Sequence, residues 1–213
     1  MTESEPATGP GTGRPRGRRM VQDRGADKQD RMVRAAAVLL IDEGFGAITH
    51  RRVAEAAGLP QGSASYYFPS SAALVAAAVE AAEELRGASA QAAADALPRR
   101  RRSAATTARL LVEVLYAPHV DDAVVARRLD PMMTAMRDPA LQPIMRRSRP
   151  RLLAAARTVL AASGFEDACA DPRDVDLVAH LVDAALLTAA SSGADGVLDR
   201  ATATVARLLE RWR

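Results

Sequence analysis

Two short stretches on either side of Gly58 hold the side chains best suited to recognition chemistry. Arg51 and Arg52 precede it, and Gln61, Ser63 and Ser65 follow. A guanidinium forks onto guanine or phosphate, an amide matches adenine, and a small hydroxyl serves either kind of base edge. Gly62 and Ala64, set between these polar residues, let a backbone approach a groove closely, and Tyr66 and Tyr67 offer hydroxyls for phosphate oxygens. Such side chains work only if an exposed, rigid element carries them.

The surrounding pattern predicts that element. Met32, Val33, Ala36, Ala37, Leu40 and Ile41 recur at helical spacing, and Gly44 suits a left-handed helix end. Thr49 is an N-cap candidate for a short helix whose Val53, Ala54 and Ala57 face inward. Gly58 and Leu59 predict a tight turn, Gly62 through Phe68 a second short helix, and Pro69-Ser70 its end and the cap of the next. Two short helices across a glycine turn, braced by a preceding helix, describe a helix-turn-helix unit.

Composition narrows the alternatives. Of 213 residues, 47 are alanine and only 3% are aromatic, which favours packed helices over a sandwich or barrel. The expected fold class is all-α, with an N-terminal three-helix helix-turn-helix domain followed by a larger helical domain. Cys169 is the single cysteine, so neither a disulfide framework nor a multi-cysteine zinc site is expected. No apolar run reaches the roughly 20 residues of a membrane span, and no signal-type segment opens the sequence. A cytoplasmic, nucleoid-associated location is expected. With three histidines and one cysteine outside any nucleophile–base motif, no enzyme is expected. No cofactor or metal is expected either. Asp176, His180 and Asp183 share a helix face, but they read as a polar stripe.

Residues 1–25 are proline- and glycine-rich and are expected to be a disordered basic arm, in which Arg14, Arg16, Arg18 and Arg19 either form a solvated tail or reach DNA. Residues 26–70 are the expected DNA-binding domain and 71–213 the larger helical domain. A long helix is predicted from Ser71 to about residue 97, with a break at Gly87. Further helices are predicted near 103–116, 121–136, 139–162, 172–191 and 196–212, with Pro150 kinking or splitting the third of the five. Arg99 to Arg102 read as a solvated turn, and Arg109, Arg127 and Arg128 as surface residues, with the holding of an anion as the alternative.

The stretch from Arg31 to Leu74 resembles the N-terminal domain of the TetR family of bacterial repressors. The resemblance rests on Glu43-Gly44-Phe45, Thr49, Val53-Ala54, Ala57-Gly58-Leu59, Gly62-Ser63 and Tyr67-Phe68. It implies base contacts from Arg51, Gln61, Ser63 and Ser65, and phosphate contacts from Thr49, His50, Tyr66 and Tyr67, to which Arg52 is added as a further phosphate candidate. It also implies a homodimer on a palindromic operator in double-stranded DNA, with a small-molecule effector in the second domain. Three positions depart from the family pattern. Ser65 stands where tyrosine is usual, Pro60 where a polar residue is usual, and Ser71 where a lysine usually opens the next helix. A helical ligand-binding or scaffold protein without operator binding is the alternative reading.

In the larger domain, Leu198, Ala201, Val205, Leu208 and Trp212 follow a 3-4-3-4 spacing, the seam of a helix pair. The 172–191 segment has two apolar stripes, one through Val175, Val178, Val182, Ala185 and Ala189, the other through Leu177, Leu181, Ala184 and Leu187. One face should meet its own domain and the other a second subunit. Val178, Leu181, Val182 and Ala185, with the seam of the last helix, are the expected dimer contacts. Leu111, Leu115, Tyr116, Met132, Met133, Met136, Met145 and Phe165 are candidate linings of an effector pocket, methionine being adaptable to irregular apolar ligands.

Overall fold

The computed structural model describes residues 16–118, 120–192 and 195–212, with side chains from Gly25 onward apart from Val124. Among these residues there are helices and no strands. The α-helices are α1 (Arg16–Glu43), α2 (His50–Ala56), α3 (Gly62–Tyr67), α4 (Ser71–Asp95) and α5 (Ala104–Leu115), then α6 (Asp122–Arg137), α7 (Gln142–Ala162), α8 (Pro172–Ser191) and α9 (Val197–Glu210).

Side-chain caps set several of the starts, each satisfying a backbone N–H that the first turn leaves without a partner. The Thr49 hydroxyl accepts from Arg52 N at 3.2 Å, Ser70 from Ala73 N at 3.1 Å, Ser103 from Thr106 N at 3.0 Å and Asp171 from Arg173 N at 2.8 Å. The Thr49 and Ser70 caps are those the sequence pattern predicts. The beginning of α1 is not as expected. It starts at Arg16, so the backbone at Arg16, Arg18 and Arg19 is helical instead of belonging to a disordered arm; Arg14 lies outside the described residues. No proline occurs between Pro15 and Pro60, and the arginines, Met20, Gln22 and Lys28 are good helix formers.

Three further expectations are corrected. Gly87 does not interrupt α4, because it is buried where α7 crosses: a Cβ there would lie 2.7 Å from Arg151 Cδ. Of the two outcomes expected at Pro150, the split does not occur, since α7 runs on through it. Contacts on both sides of it hold the helix against α4, through Arg147 to Glu80 at 2.8 Å, Ser148 to Glu83 at 2.6 Å, and Arg151 to Glu84. Finally, Arg102 is no solvated turn residue. It is buried, and its guanidinium donates to the carbonyls of Ala162 at 2.7 Å and Pro98 at 2.8 Å, stitching the α4–α5 connection to the end of α7.

The helices enclose two apolar cores that share α4. The first joins Met32, Ala36 and Leu40 of α1 to Val53 and Ala54 of α2, Ala64 of α3, Phe68, and Leu74 and Ala78 of α4. It also takes in Ala135 of α6 and Ile144 of α7, so packing runs on past residue 70. The second core lies among the far end of α4 and helices α5 to α9, around Leu111, Val125, Leu160, Leu186 and Leu209. No helix among the described residues is long and apolar enough to cross a membrane.

Candidate nucleic-acid interface and ligand chamber

The turn between α2 and α3 is fixed by backbone chemistry. Gly58 adopts φ 64°, a left-handed conformation that costs a residue with a Cβ about 1 kcal/mol or more. Leu59 N bonds to the Ala54 carbonyl at 2.9 Å, and Ser63 N to the Pro60 carbonyl at 2.9 Å. Arg31 reaches across from α1 and donates to the Ala57 carbonyl at 2.5 Å. Val53, Ala54, Ala57 and Ala64 are buried beneath, so the opposite faces of both short helices point outward.

That outward surface carries Thr49, Arg51, Gln61, Ser65 and Tyr66, all exposed, with Ser63 half-buried. Tyr66 is 83% exposed, which is unusual for an aromatic ring with no functional demand on it. Its ring meets Tyr67 edge to face, with centroids 5.0 Å apart. Tyr67 turns partly inward, its hydroxyl lying near Gly25 of α1. Arg51 pairs only loosely with Glu55, at 3.9 Å, and both are well exposed. Two of the expected phosphate contacts have partners inside the protein. His50 Nε2 bonds to the Phe68 carbonyl at 2.9 Å, so its hydrogen lies on that nitrogen, and Arg52 is tied to Glu43 at 2.8 Å. Gly44 has the positive φ expected of it, 81°, but with ψ at −172° it occupies a region open essentially to glycine alone rather than the left-handed helical one.

A chamber opens where the two cores meet. One part is lined by Leu40 and Ile41 of α1, Phe45, Val79 of α4, and Pro131, Met132 and Ala135 of α6, with Tyr116 and Met145. A second part shares Arg86, Met132 and Met145 with the first and adds Met136, Ser148, Arg149 and Asp183. Polar groups sit inside these apolar walls. The Tyr116 hydroxyl donates to Asp183 at 3.0 Å. Burial holds the Asp183 carboxyl above the usual carboxylate range, against the opposing pull of Arg86. Burial, reinforced by Asp183, pushes the Tyr116 phenol well above its ordinary value, so it remains the donor. Arg86 faces Glu83 at 3.5 Å, and Arg128 donates to the Tyr116 carbonyl. Burial, and then repulsion from Arg86, lower Arg128 from its ordinary value.

The sequence pattern of the bacterial regulatory proteins of the tetR family matches residues 32–78, which are the helices just described and the first turns of α4. The chain carries a tetR-family regulatory domain. No curated protein matches it closely in sequence. Among solved structures, the multidrug binding protein EbrR complexed with proflavin aligns with a TM-score of 0.61 at 22% identity, covering 87% of this chain and 99% of that one. A protein assigned to the TetR-family transcriptional regulators of Mesorhizobium loti MAFF303099 aligns at 0.61 and 17% identity, covering 88% and 98%. A protein assigned as a transcriptional regulator of Saccharomonospora viridis, in complex with choline, aligns at 0.58 and 16%, covering 87% and 96%. The fold is therefore that of these regulators along most of the chain.

Within this tetR-type fold the expected pocket residues divide. Tyr116, Met132, Met136 and Met145 line the chamber, and Leu115 borders a small recess beside Arg86 and Asp183. Leu111 and Phe165 are buried in the second core and do not line it, and Met133 lies outside the lining as well. Glu83 and Arg86 escaped the sequence reading because, three apart on an alanine-rich helix, they look like an ordinary surface pair. Arg128, expected at the surface, borders the chamber. The Asp176, His180 and Asp183 stripe is split, Asp176 going to Arg149 at 2.8 Å and Asp183 to Tyr116. No group of three or more acidic, histidine or cysteine side chains among the described residues could hold a metal.

The expected dimer residues also divide. Val178, Val182, Ala201 and Val205 are fully covered within one chain, so they are core and cannot meet a second copy, whereas the nearly covered Ala185 borders a surface groove with Leu181 and Ala184. Leu198, Leu208 and Trp212 are partly buried against the same core. The face left open on α8 is the other stripe, with Leu177 50% and Leu187 40% exposed on either side of Leu181 and Ala184.

Proposed function

We propose that the chain is a dimeric, ligand-responsive transcriptional regulator, a repressor released from a palindromic operator when an effector fills the chamber. The observation that carries the DNA-binding part is α3 itself. It is held rigidly by the Gly58 turn and by Arg31, yet it displays Ser65 and Tyr66 to solvent beside Gln61 and Arg51, side chains for which the fold has no packing use. Arg51, Gln61, Ser63 and Ser65 would read base edges. Thr49, Tyr66 and Tyr67 would hold phosphates, with Arg52 and His50 turning outward only by giving up Glu43 and Phe68. The arginines at 14, 16, 18 and 19 would extend the contact along the backbone.

The open Leu177–Leu187 stripe supports a two-fold pairing of α8 and α9 with a second copy, because an isologous contact uses one patch twice. Two recognition helices would then address half-sites about 34–36 Å apart. Release follows from where the chamber lies. Its walls come from both domains, and α6 leans on the end of α1, with Pro131 Cγ 3.5 Å from the position a Cβ on Gly44 would take. An effector that fits better when α6 and α1 shift apart lowers DNA affinity by its own differential affinity for the two arrangements.

Selection of bound duplexes from a random pool, then titration of the winner at two salt concentrations, tests this reading. A palindromic winner whose binding weakens steeply with salt is expected. Arg51→Glu with Gln61→Glu should abolish that binding and leave the dimer intact. Absence of any enriched sequence from an intact dimer would overturn the operator reading in favour of a helical ligand-binding protein.

A further inference from the structure

The chamber is not uniformly apolar, and Arg86 is its focus. This side chain borders both large parts of the chamber and the small recess beside Leu115 and Asp183. Its guanidinium is poorly satisfied. The Nε atom is buried with no hydrogen-bond partner, since Glu83 lies 3.5 Å away without hydrogen-bond geometry. Nη1 donates to the Met132 thioether at 3.8 Å, a weak acceptor. Glu83 is meanwhile engaged at its other oxygen by Ser148, at 2.6 Å. A buried donor left this way costs stability that a better acceptor would restore.

Resting on the effector reading above, we infer that the ligand of this chamber is an amphiphile with a carboxylate or similar planar oxyanion, received by Arg86, and an aliphatic body lying along Ile41, Val79, Met132 and Met145. Guanidinium matches such an oxyanion with two parallel hydrogen bonds, and methionine walls adapt to a flexible chain. The charge balance agrees. Arg86 and Arg128 border the same space as Glu83 and Asp183, and burial holds the Asp183 carboxyl above the usual carboxylate range. A cationic ligand would enter against both guanidinium groups.

Three probes of equal chain length separate the possibilities: decanoate, decanol and decyltrimethylammonium, titrated calorimetrically into the intact protein below their micelle concentrations. Spectra of [13C-methyl]methionine protein report location through Met132 and Met145. Decanoate is expected to bind about tenfold or more tightly than decanol, the trimethylammonium more weakly still, with both methionine signals moving. Arg86→Gln should bring decanoate down to the level of decanol, while Arg86→Lys retains part of the preference. Binding of decanol as tightly as decanoate, or tighter binding of the cation, overturns the oxyanion class while leaving an effector chamber in place. If no probe moves the Met132 and Met145 signals, the chamber reading itself fails, and this inference with it.

Discussion

Replacing Gly58 by alanine should damage the turn between α2 and α3 by two coupled routes. The backbone at φ 64° is left-handed, which costs a residue with a Cβ roughly 1 kcal/mol. The new Cβ would also sit 3.2 Å from Arg31 Nη2, the atom that donates to the Ala57 carbonyl. Displacing a charged donor from a half-buried carbonyl adds about 1–2 kcal/mol. The sum is about 2–3 kcal/mol, or a fall in Tm of roughly 5–10 °C for a chain of this size. Denaturant unfolding at fixed protein concentration measures it, and operator affinity should fall in parallel because α3 loses its bearing. The double-mutant cycle with Arg31→Met is the stringent test. With the guanidinium gone, Gly58→Ala should cost only the backbone part, about 1 kcal/mol. If the two substitutions add to within about 0.5 kcal/mol, the clash with Arg31 contributes nothing and the reasoning is wrong. Gly58→Asn should be milder than Gly58→Ala, since asparagine tolerates this conformation.

Other consequences follow from the same contacts. The folded chain holds Asp183 above the usual carboxylate range, so its contribution to stability is full below the ordinary aspartate value and is lost as pH rises through the raised one. Asp183→Asn, which keeps an acceptor for Tyr116, should therefore gain stability relative to the parent as pH rises from about 4 to 8; a difference constant across that range would contradict the burial. Leu177→Glu with Leu187→Glu should convert a dimer to folded monomer by sedimentation, whereas Val178→Ala should leave assembly alone and cost about 2 kcal/mol of stability. Thr49→Ala removes the cap of α2 and should cost about 1 kcal/mol in denaturant melts, with weaker operator binding as a second readout.

The N-terminal unit was legible because its signals are local. Thr49 caps within three residues, Gly58 answers to its own φ, and Val53, Ala54 and Ala57 face one way by helical spacing alone. For the same reason the start of α4, at Ser70, was readable from a single residue. Where a contact joins distant segments, local signals fall short. Nothing near Arg102 announces that its guanidinium will cap the end of α7, and nothing near Pro150 announces the contacts that hold its helix to α4.

The same division holds for function. Chain order and residue type were enough to place an exposed polar helix after a tight turn, because periodicity dictates which side of a short helix can be buried. They were silent on which of the two apolar stripes of α8 faces inward, since either is equally hydrophobic; packing against α5, α7 and α9 buried Val178 and Val182 and left Leu177 and Leu187 outside. The chamber is likewise a tertiary product. Glu83 and Arg86 on α4, Tyr116 after α5, Met132 on α6, Ser148 on α7 and Asp183 on α8 are brought together only when five segments fold around one space, and burial there gives Asp183 and Tyr116 protonation preferences that no stretch of sequence carries on its own.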